Sequence, residues 1–221
     1  MLFQNRTDAG RQLAHALLRY KGLHPVVLAL PRGGVPVAAE VAATLDAPLD
    51  LLLVRKIGLP SQPELAMGAV ADGEEPIIIR NSDVIDMSGV SAETFDAVCK
   101  EERAEIARRR MHYLGNRPRA DVKGQVTIIV DDGIATGATT LAAIKAVRLR
   151  QPKELVLAVP VAPLETVQKM HTEVDALVCL DTPDDLGAIG YFYRDFHQIG
   201  DDEVIATLKR FPANRAPAKQ G

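Results

Sequence analysis

The clearest chemical signal in this 221-residue chain is a pair of adjacent acids, Asp131 and Asp132, at the end of an apolar run. The acids are followed by the turn Gly-Ile-Ala-Thr-Gly-Ala-Thr-Thr and then by a helical pattern. Two carboxylates at the carboxyl end of a strand can hold sugar hydroxyls or a Mg²⁺ attached to them. A turn of small residues before a helix points backbone N–H groups into one anion-binding concavity. The pattern therefore predicts a site for a phosphate monoester beside a diol, and a ribose 5-phosphate has both groups.

The predicted phosphate cradle consists of consecutive residues of that turn. It comprises Ala135, Thr136, Gly137, Ala138, Thr139 and Thr140. Gly137 allows close backbone approach, and the threonine hydroxyls add neutral hydrogen-bond donors without crowding.

Residues 126–140 resemble the phosphoribosyl-diphosphate signature of the type I phosphoribosyltransferases. The stretches LPRGGVPVA, RKIG…PELAMGAV and VDDGIATGAT extend the resemblance to predicted bacterial phosphoribosyltransferases of unassigned substrate, over about residues 30–139. The resemblance implies transfer of ribose 5-phosphate from phosphoribosyl diphosphate to a nitrogen nucleophile, with release of pyrophosphate. It also implies Mg²⁺ as the cofactor, held directly or indirectly by Asp131 and Asp132.

The same resemblance assigns the leaving group to two basic segments that follow strands. The pyrophosphate-binding residues would be Arg32, Gly33, Gly34, Arg55 and Lys56. The residues assigned to catalysis are Asp131, Asp132, Arg32 and Lys56. Arg55-Lys56 would open a flexible loop, about 57–75, that closes over the substrate and excludes water. A pair of solvated basic residues is the alternative for Arg55-Lys56.

The acceptor is less well defined by the sequence. In 6-oxopurine enzymes the residue before Thr-Gly is an Asp that accepts a proton from the base, whereas this chain has Ala135. The expected acceptor is therefore a nucleobase other than a 6-oxopurine. Resemblance also predicts a small hood at about 182–200 that covers the base. Its candidate base-binding rings are Tyr191, Phe192, Tyr193 and Phe196, which could instead fill the core of the hood.

The elements that must position these residues alternate between strand and helix. Apolar runs at 26–30, 49–54, 126–130, 155–161 and 176–180 predict strands, and helical patterns lie between most of them. Such alternation favours an α/β fold, a doubly wound and mostly parallel sheet flanked by helices, with the hood at its C-terminal end. Ligands of such sheets bind beyond the carboxyl ends of strands. We expect one domain over 1–211 and a loose tail at 212–221.

The composition and net charge restrict the expected cellular location and binding partners of the protein. A net charge of -3 and 47% apolar residues disfavour a general nucleic-acid surface and a disordered chain. Arg108-Arg109-Arg110 lies beside several glutamates and is interpreted as a solvated helix face. The chain shows no signal peptide and no membrane-spanning run, so a cytoplasmic protein without membrane or nucleic-acid partners is expected. The resembling proteins are usually dimers, which predicts a homodimer.

Other functions remain open from the sequence alone. A fold relative that binds a phosphoribosyl ligand as a sensor or regulator is the main alternative to an active transferase. Hydrolysis or phosphoryl transfer on a related phosphate ester is a weaker one. A phospho-acceptor receiver domain is disfavoured because its acidic pair belongs near the N-terminus, and a dinucleotide fold is disfavoured because no G-x-G-x-x-G follows a strand.

Overall fold

The computed structural model describes residues 1–73 and 75–211. Its strands are β1 (Val26–Ala29), β2 (Leu49–Leu51), β3 (Val54–Leu59), β4 (Gln62–Ala71), β5 (Ile77–Arg80), β6 (Val126–Val130), β7 (Glu154–Val161) and β8 (Ala176–Asp181). Its helices are α1 (Arg6–Ala16), α2 (Gly34–Leu45), α3 (Ser82–Ser88), α4 (Ala92–Leu114), α5 (Ala138–Leu149), α6 (Leu164–His171) and α7 (Asp201–Leu208). The predicted tail at 212–221 lies outside the described residues. None of the described helices is both long and apolar enough to cross a membrane.

A five-stranded parallel sheet forms the centre, with strand order β2-β1-β6-β7-β8. Strands β1 and β6 are buried along their whole length, as expected for parallel strands covered on both faces. The alternation of side chains divides them between two cores: Val27 and Ile128 face one, whereas Leu28 and Ile129 face the other. The predicted doubly wound α/β fold is confirmed.

Helices cover both faces of this sheet. Helices α1, α2, α4 and α7 contribute to the core on one face, and α5 and α6 contribute to the core on the other. Because the crossovers are helical, the carboxyl ends of β1, β6 and β7 point to the same edge. That edge carries the predicted acids and anion-binding turns.

The segment 57–75, predicted as a flexible loop, has regular strand structure over much of its length. Strands β3 and β4 form an antiparallel hairpin, and β5 pairs with the outer side of β4. Ile57 and Met67 are fully buried, and Phe95 of α4 packs against the same core. The hairpin forms because the segment buries enough apolar surface against α4 to offset the cost of ordering it.

A buried ion network joins the hairpin to α4, and it corrects part of the interpretation of 108–110 as a solvated face. Arg110 is 7% exposed and its Nη1 donates to Asp72 Oδ2 over 2.7 Å. Arg119 donates to the other oxygen of Asp72, and Asp50 lies 3.8 Å from Arg110. The charge pattern of the helix could not reveal this, because the partners of Arg110 are distant in sequence.

Candidate active site

The two predicted acids follow β6 and differ in their surroundings. Asp131 is half-buried, and its Oδ1 accepts a hydrogen bond from the Asp132 backbone N–H over 2.8 Å. Asp132 is 8% exposed, and its Oδ2 accepts from Arg6 Nε over 2.7 Å. Asp132 is therefore neutralised by a buried partner, whereas Asp131 has no cationic hydrogen-bond partner among the described residues.

The pKa of Asp131 is raised well above its usual range. Burial is the main cause, because it removes solvation from the charged form, and the neighbouring Asp132 carboxylate adds to it. The ionised form of Asp131 is therefore disfavoured in the folded protein. Perturbed pKa values of this kind are common among functional groups.

Arg6 was not predicted as a site residue. It begins α1, and its Nη1 also donates to the His197 backbone oxygen in the hood. Its guanidinium carbon lies 3.8 Å from the ring centroid of Phe196. Arg6 therefore joins the acid pair, 126 positions away in sequence, to the hood, 191 positions away. No local sequence pattern indicates the contacts of Arg6 with Asp132 and the hood, since an arginine in the first turn of a helix is ordinarily exposed.

The predicted anion loop, residues 31–34, lies directly against the acids. The Pro31–Arg32 peptide bond is cis. A Cβ placed on Gly33 would lie 2.1 Å from Asp132 Oδ2, and one on Gly34 would lie 2.8 Å from the Val130 backbone oxygen. Only glycine permits this approach of the loop to the end of β6.

Arg32 extends from this loop toward α7. Its Nη1 lies 3.6 Å from Asp201 Oδ1, and both side chains are more than 40% exposed. Tyr113 donates a hydrogen bond to the same carboxylate and thereby lowers the pKa of Asp201. Arg32 thus has an exposed and loosely held counter-charge, which an incoming anion can replace.

The predicted phosphate cradle forms the turn between β6 and α5. Gly137 has φ +77° and precedes the first residue of α5. The backbone oxygen of Ala135 accepts a hydrogen bond from Thr166 of α6, which fixes the turn. Thr136 and Thr139 are exposed and Thr140 is buried. The first N–H groups of a helix lack partners within that helix, so this turn presents donors to an anion.

Two cavities flank the anion loop, one beside each acid. The Asp131 cavity has a volume of about 190 Å³. Its lining comprises Leu30, Pro31, Leu52, Leu53, Val54, Arg55, Ile106, Arg109, Asp131 and Thr139. The Asp132 cavity, of about 340 Å³, is lined by Arg6, Arg32, Gly33, Asp132, Phe196, Gln198 and Ile199. The structure thus brings Asp131, Arg55 and Thr139 of the predicted phosphate cradle to one cavity.

Arg55 and Lys56 do not end a strand, as the sequence had suggested, but lie within β3 and face opposite sides of it. Arg55 lines the Asp131 cavity, and its Nε donates to Glu102 of α4 over 2.5 Å. Lys56 is bound across the hairpin to Glu64 and does not line that cavity. Of the predicted pair, only Arg55 is placed beside the acids.

The hood rings have different environments. Tyr193 is 5% exposed, packs on Phe3 and Phe196, and donates a hydrogen bond to the Asp132 backbone oxygen over 2.6 Å. Phe196 stacks on Arg6. Tyr193 therefore fills the hood core and is not exposed for stacking on a base. Tyr191, at 77% exposed, is the most accessible of the four rings, and Phe192 lies against the hood core.

Replacement of Tyr193 by Phe tests this structural role. The change leaves the buried Asp132 oxygen without its hydroxyl donor, so the free energy of unfolding should fall by about 1–2 kcal/mol. Urea denaturation measures this loss, and Tyr191→Phe serves as the control because its hydroxyl lies on an exposed ring. Equal stability of the two variants would contradict the role of the Tyr193 hydrogen bond.

The structure brings the acid pair, the glycine loop and the predicted phosphate cradle to one edge of a doubly wound sheet, as the resemblance to phosphoribosyltransferases implies. The sequence model of the phosphoribosyl transferase domain matches residues 2–193. The chain therefore belongs to this family, and the family predicted from the signature is confirmed.

Individual relatives agree with this assignment. A Mycobacterium tuberculosis protein named "Putative phosphoribosyl transferase", found in two strains, is 47% identical over 220 residues that cover 100% of this chain. The protein TT1426 from Thermus thermophilus is 39% identical in sequence to this chain. Its crystal structure matches with a TM-score of 0.85, over 96% of this chain and 100% of the TT1426 chain. The chain spans about half the length of the M. tuberculosis relatives it matches, 49%.

Proposed function

We propose that this chain transfers the phosphoribosyl group of phosphoribosyl diphosphate to a nitrogen nucleophile. The observation that carries the proposal is that Asp131, the glycine loop at 31–34 and the phosphate turn meet at one edge of the sheet. The turn at 135–140 would bind the 5-phosphate, and Asp131 would accept hydrogen bonds from the ribose hydroxyls. Arg32, Gly33, Gly34 and Arg55 would bind the diphosphate.

Magnesium fits this donor set only together with substrate oxygens. The described residues contain no cluster of three or more acidic, histidine or cysteine side chains suited to a metal ion. Mg²⁺ commonly keeps several waters and takes one or two carboxylates plus substrate phosphates. This suits Asp131 as the direct ligand, with Asp132, which is already paired with Arg6, acting indirectly. When bound, the ion would neutralise charge that develops on the departing diphosphate.

In the proposed reaction the bond between carbon 1 and the diphosphate oxygen breaks, and the electron pair leaves on pyrophosphate. The sugar passes through a cation-like state similar to that of glycoside hydrolysis. The lone pair of the nitrogen nucleophile forms the new bond to carbon 1, and its proton goes to solvent. The chain holds both ends of the sugar phosphate in place and excludes water, and it needs no covalent nucleophile.

The acceptor is proposed to be a nucleobase that is not a 6-oxopurine. Ala135 carries no acidic group that could accept a proton from such a base, and its backbone oxygen is occupied by Thr166. Tyr191 of the hood is the exposed ring available for stacking. A homodimer and Lys56 as a catalytic residue remain predictions from the family resemblance.

Calorimetry with phosphoribosyl diphosphate and Mg²⁺ tests the proposal first. Wild type should bind, and the double variant Asp131→Asn, Asp132→Asn should not. Pyrophosphate release across a panel of nucleobases should then occur with at least one base and not with hypoxanthine or guanine. Absence of binding by wild type would overturn the proposal, whereas binding without release with any base would favour a sensor or regulator.

A further inference from the structure

The Asp131 cavity is lined by two arginines, Arg55 and Arg109. They come from different elements, β3 and α4, and converge on the space beside Asp131 and Thr139. The cavity has a volume of about 190 Å³. This is room for a small polyanion, and guanidinium groups match phosphate oxygens geometrically.

Arg109 differs from Arg55 in how its donors are used. Arg109 Nε donates to Glu105 Oε1 over 2.7 Å, and this is its one hydrogen bond among the described residues. Its two terminal NH₂ groups therefore keep their donors, and its side chain is 39% exposed. An arginine with free donors on the wall of a cavity can bind an anion without first losing its position.

Glu105 does not depend on Arg109 for its charge balance. Arg108 already binds Glu105 with two hydrogen bonds, from Nε to Oε2 over 2.7 Å and from Nη2 to Oε1 over 2.9 Å. Arg108 is 66% exposed and does not line the cavity. Glu105 therefore stays paired with Arg108 when Arg109 binds an anion.

We infer that Arg109 and Arg55 bind the diphosphate group of the substrate from the Asp131 side of the anion loop, whose Pro31 lines the same cavity as both arginines. The inference rests on the proposed function. The phosphate turn takes the 5-phosphate, and Thr139 lies where that turn meets the cavity, so the two arginines lie where the second anionic group must go. Arg109 forms part of the leaving-group site because its charge and its forked donors stabilise the departing pyrophosphate.

The test compares Arg109→Gln with Arg103→Gln. Arg103 is an exposed arginine of the same helix and does not line the cavity, so the control removes the same charge from the same element. The probes are pyrophosphate with Mg²⁺ and ribose 5-phosphate, each titrated by calorimetry. Arg109→Gln should weaken pyrophosphate binding at least tenfold and leave ribose 5-phosphate binding within twofold of wild type. Arg103→Gln should leave both unchanged.

A further variant separates the forked donors from the charge. Arg109→Lys should bind pyrophosphate with an affinity between those of wild type and Arg109→Gln, and its thermal unfolding should match that of wild type. Wild-type affinity of Arg109→Gln for pyrophosphate would overturn the inference and leave the proposed function intact. If wild type binds neither pyrophosphate nor ribose 5-phosphate, the inference and the proposed function are both overturned. If Arg109→Gln loses affinity for the two probes equally, only the inference is overturned.

Discussion

Asp131→Asn is expected to weaken phosphoribosyl diphosphate binding at least a thousandfold, about 4 kcal/mol, and to stabilise the fold at the same time. Binding falls because the amide cannot offer two anionic oxygens to the ribose hydroxyls and the metal ion. Stability rises because burial and the Asp132 carboxylate raise the pKa of Asp131, so its ionised form is disfavoured in the folded state. Asn retains an oxygen that can accept from the Asp132 N–H.

The pH dependence follows from the direction of that shift. An acid whose pKa is higher in the folded than in the unfolded state destabilises the fold at neutral pH, and the penalty shrinks as the pH falls below the raised pKa and vanishes below the unfolded-state pKa. The stability advantage of Asp131→Asn, measured by urea denaturation, should therefore be present at pH 7 and shrink toward acid pH.

Asp132→Asn provides the matched control for this prediction. It breaks the buried pair with Arg6 and leaves a buried cation without its partner, so the free energy of unfolding should fall by about 3 kcal/mol. Two adjacent acids then give opposite signs of stability change. Destabilisation by Asp131→Asn of the same size, or unchanged ligand binding, would refute the different environments we assign to them.

The sequence could predict those parts of the site that are continuous in the chain. The phosphate turn, the acids and the glycine loop each follow an apolar strand, and strand ends of a parallel sheet meet at one edge. Local pattern thus placed Asp131 and residues 135–140 correctly in the fold. What each residue binds stays a proposal.

Contacts between residues that are far apart in the sequence could not be predicted from it. Arg6 and Asp132 are 126 positions apart, and Arg110 and Asp72 are 38 apart. Such pairs depend on tertiary packing, which no local pattern encodes. The pairing of β3 with β4 was not predicted for a related reason, since the glycines and prolines of this segment suggested a loop while its burial against α4 favours a sheet.

One signal for Arg109 was present in the sequence. Glu102, Ile106 and Arg109 have the spacing i, i+4, i+7, which places them on one face of α4. In the structure Glu102 binds Arg55, while Ile106 and Arg109 line the Asp131 cavity. The three adjacent arginines 108–110 form one charged run in the sequence, but on α4 each points in a different direction around the helix axis.

Gly34→Ala is the second prediction with a large effect, because the added methyl meets backbone rather than a flexible side chain. Its Cβ would lie 2.8 Å from the Val130 oxygen and 2.9 Å from Asp131 Cα. The Val130 oxygen already accepts from the Leu30 N–H over 2.9 Å, so it cannot move without disturbing the junction of β1 and β6. The anion loop must therefore shift away from the acids.

This shift should weaken pyrophosphate binding at least a hundredfold, about 2.7 kcal/mol, and lower the free energy of unfolding by about 1–3 kcal/mol. Gly200→Ala is the control, because the atom closest to its added Cβ is Glu203 Oε1 at 3.5 Å and its φ of −82° suits alanine. Calorimetry and urea denaturation on both variants separate the two effects. Near wild-type pyrophosphate affinity in Gly34→Ala would mean that the loop does not bind the leaving group at its observed distance from Asp131, since the substitution cannot be accommodated there without moving the loop.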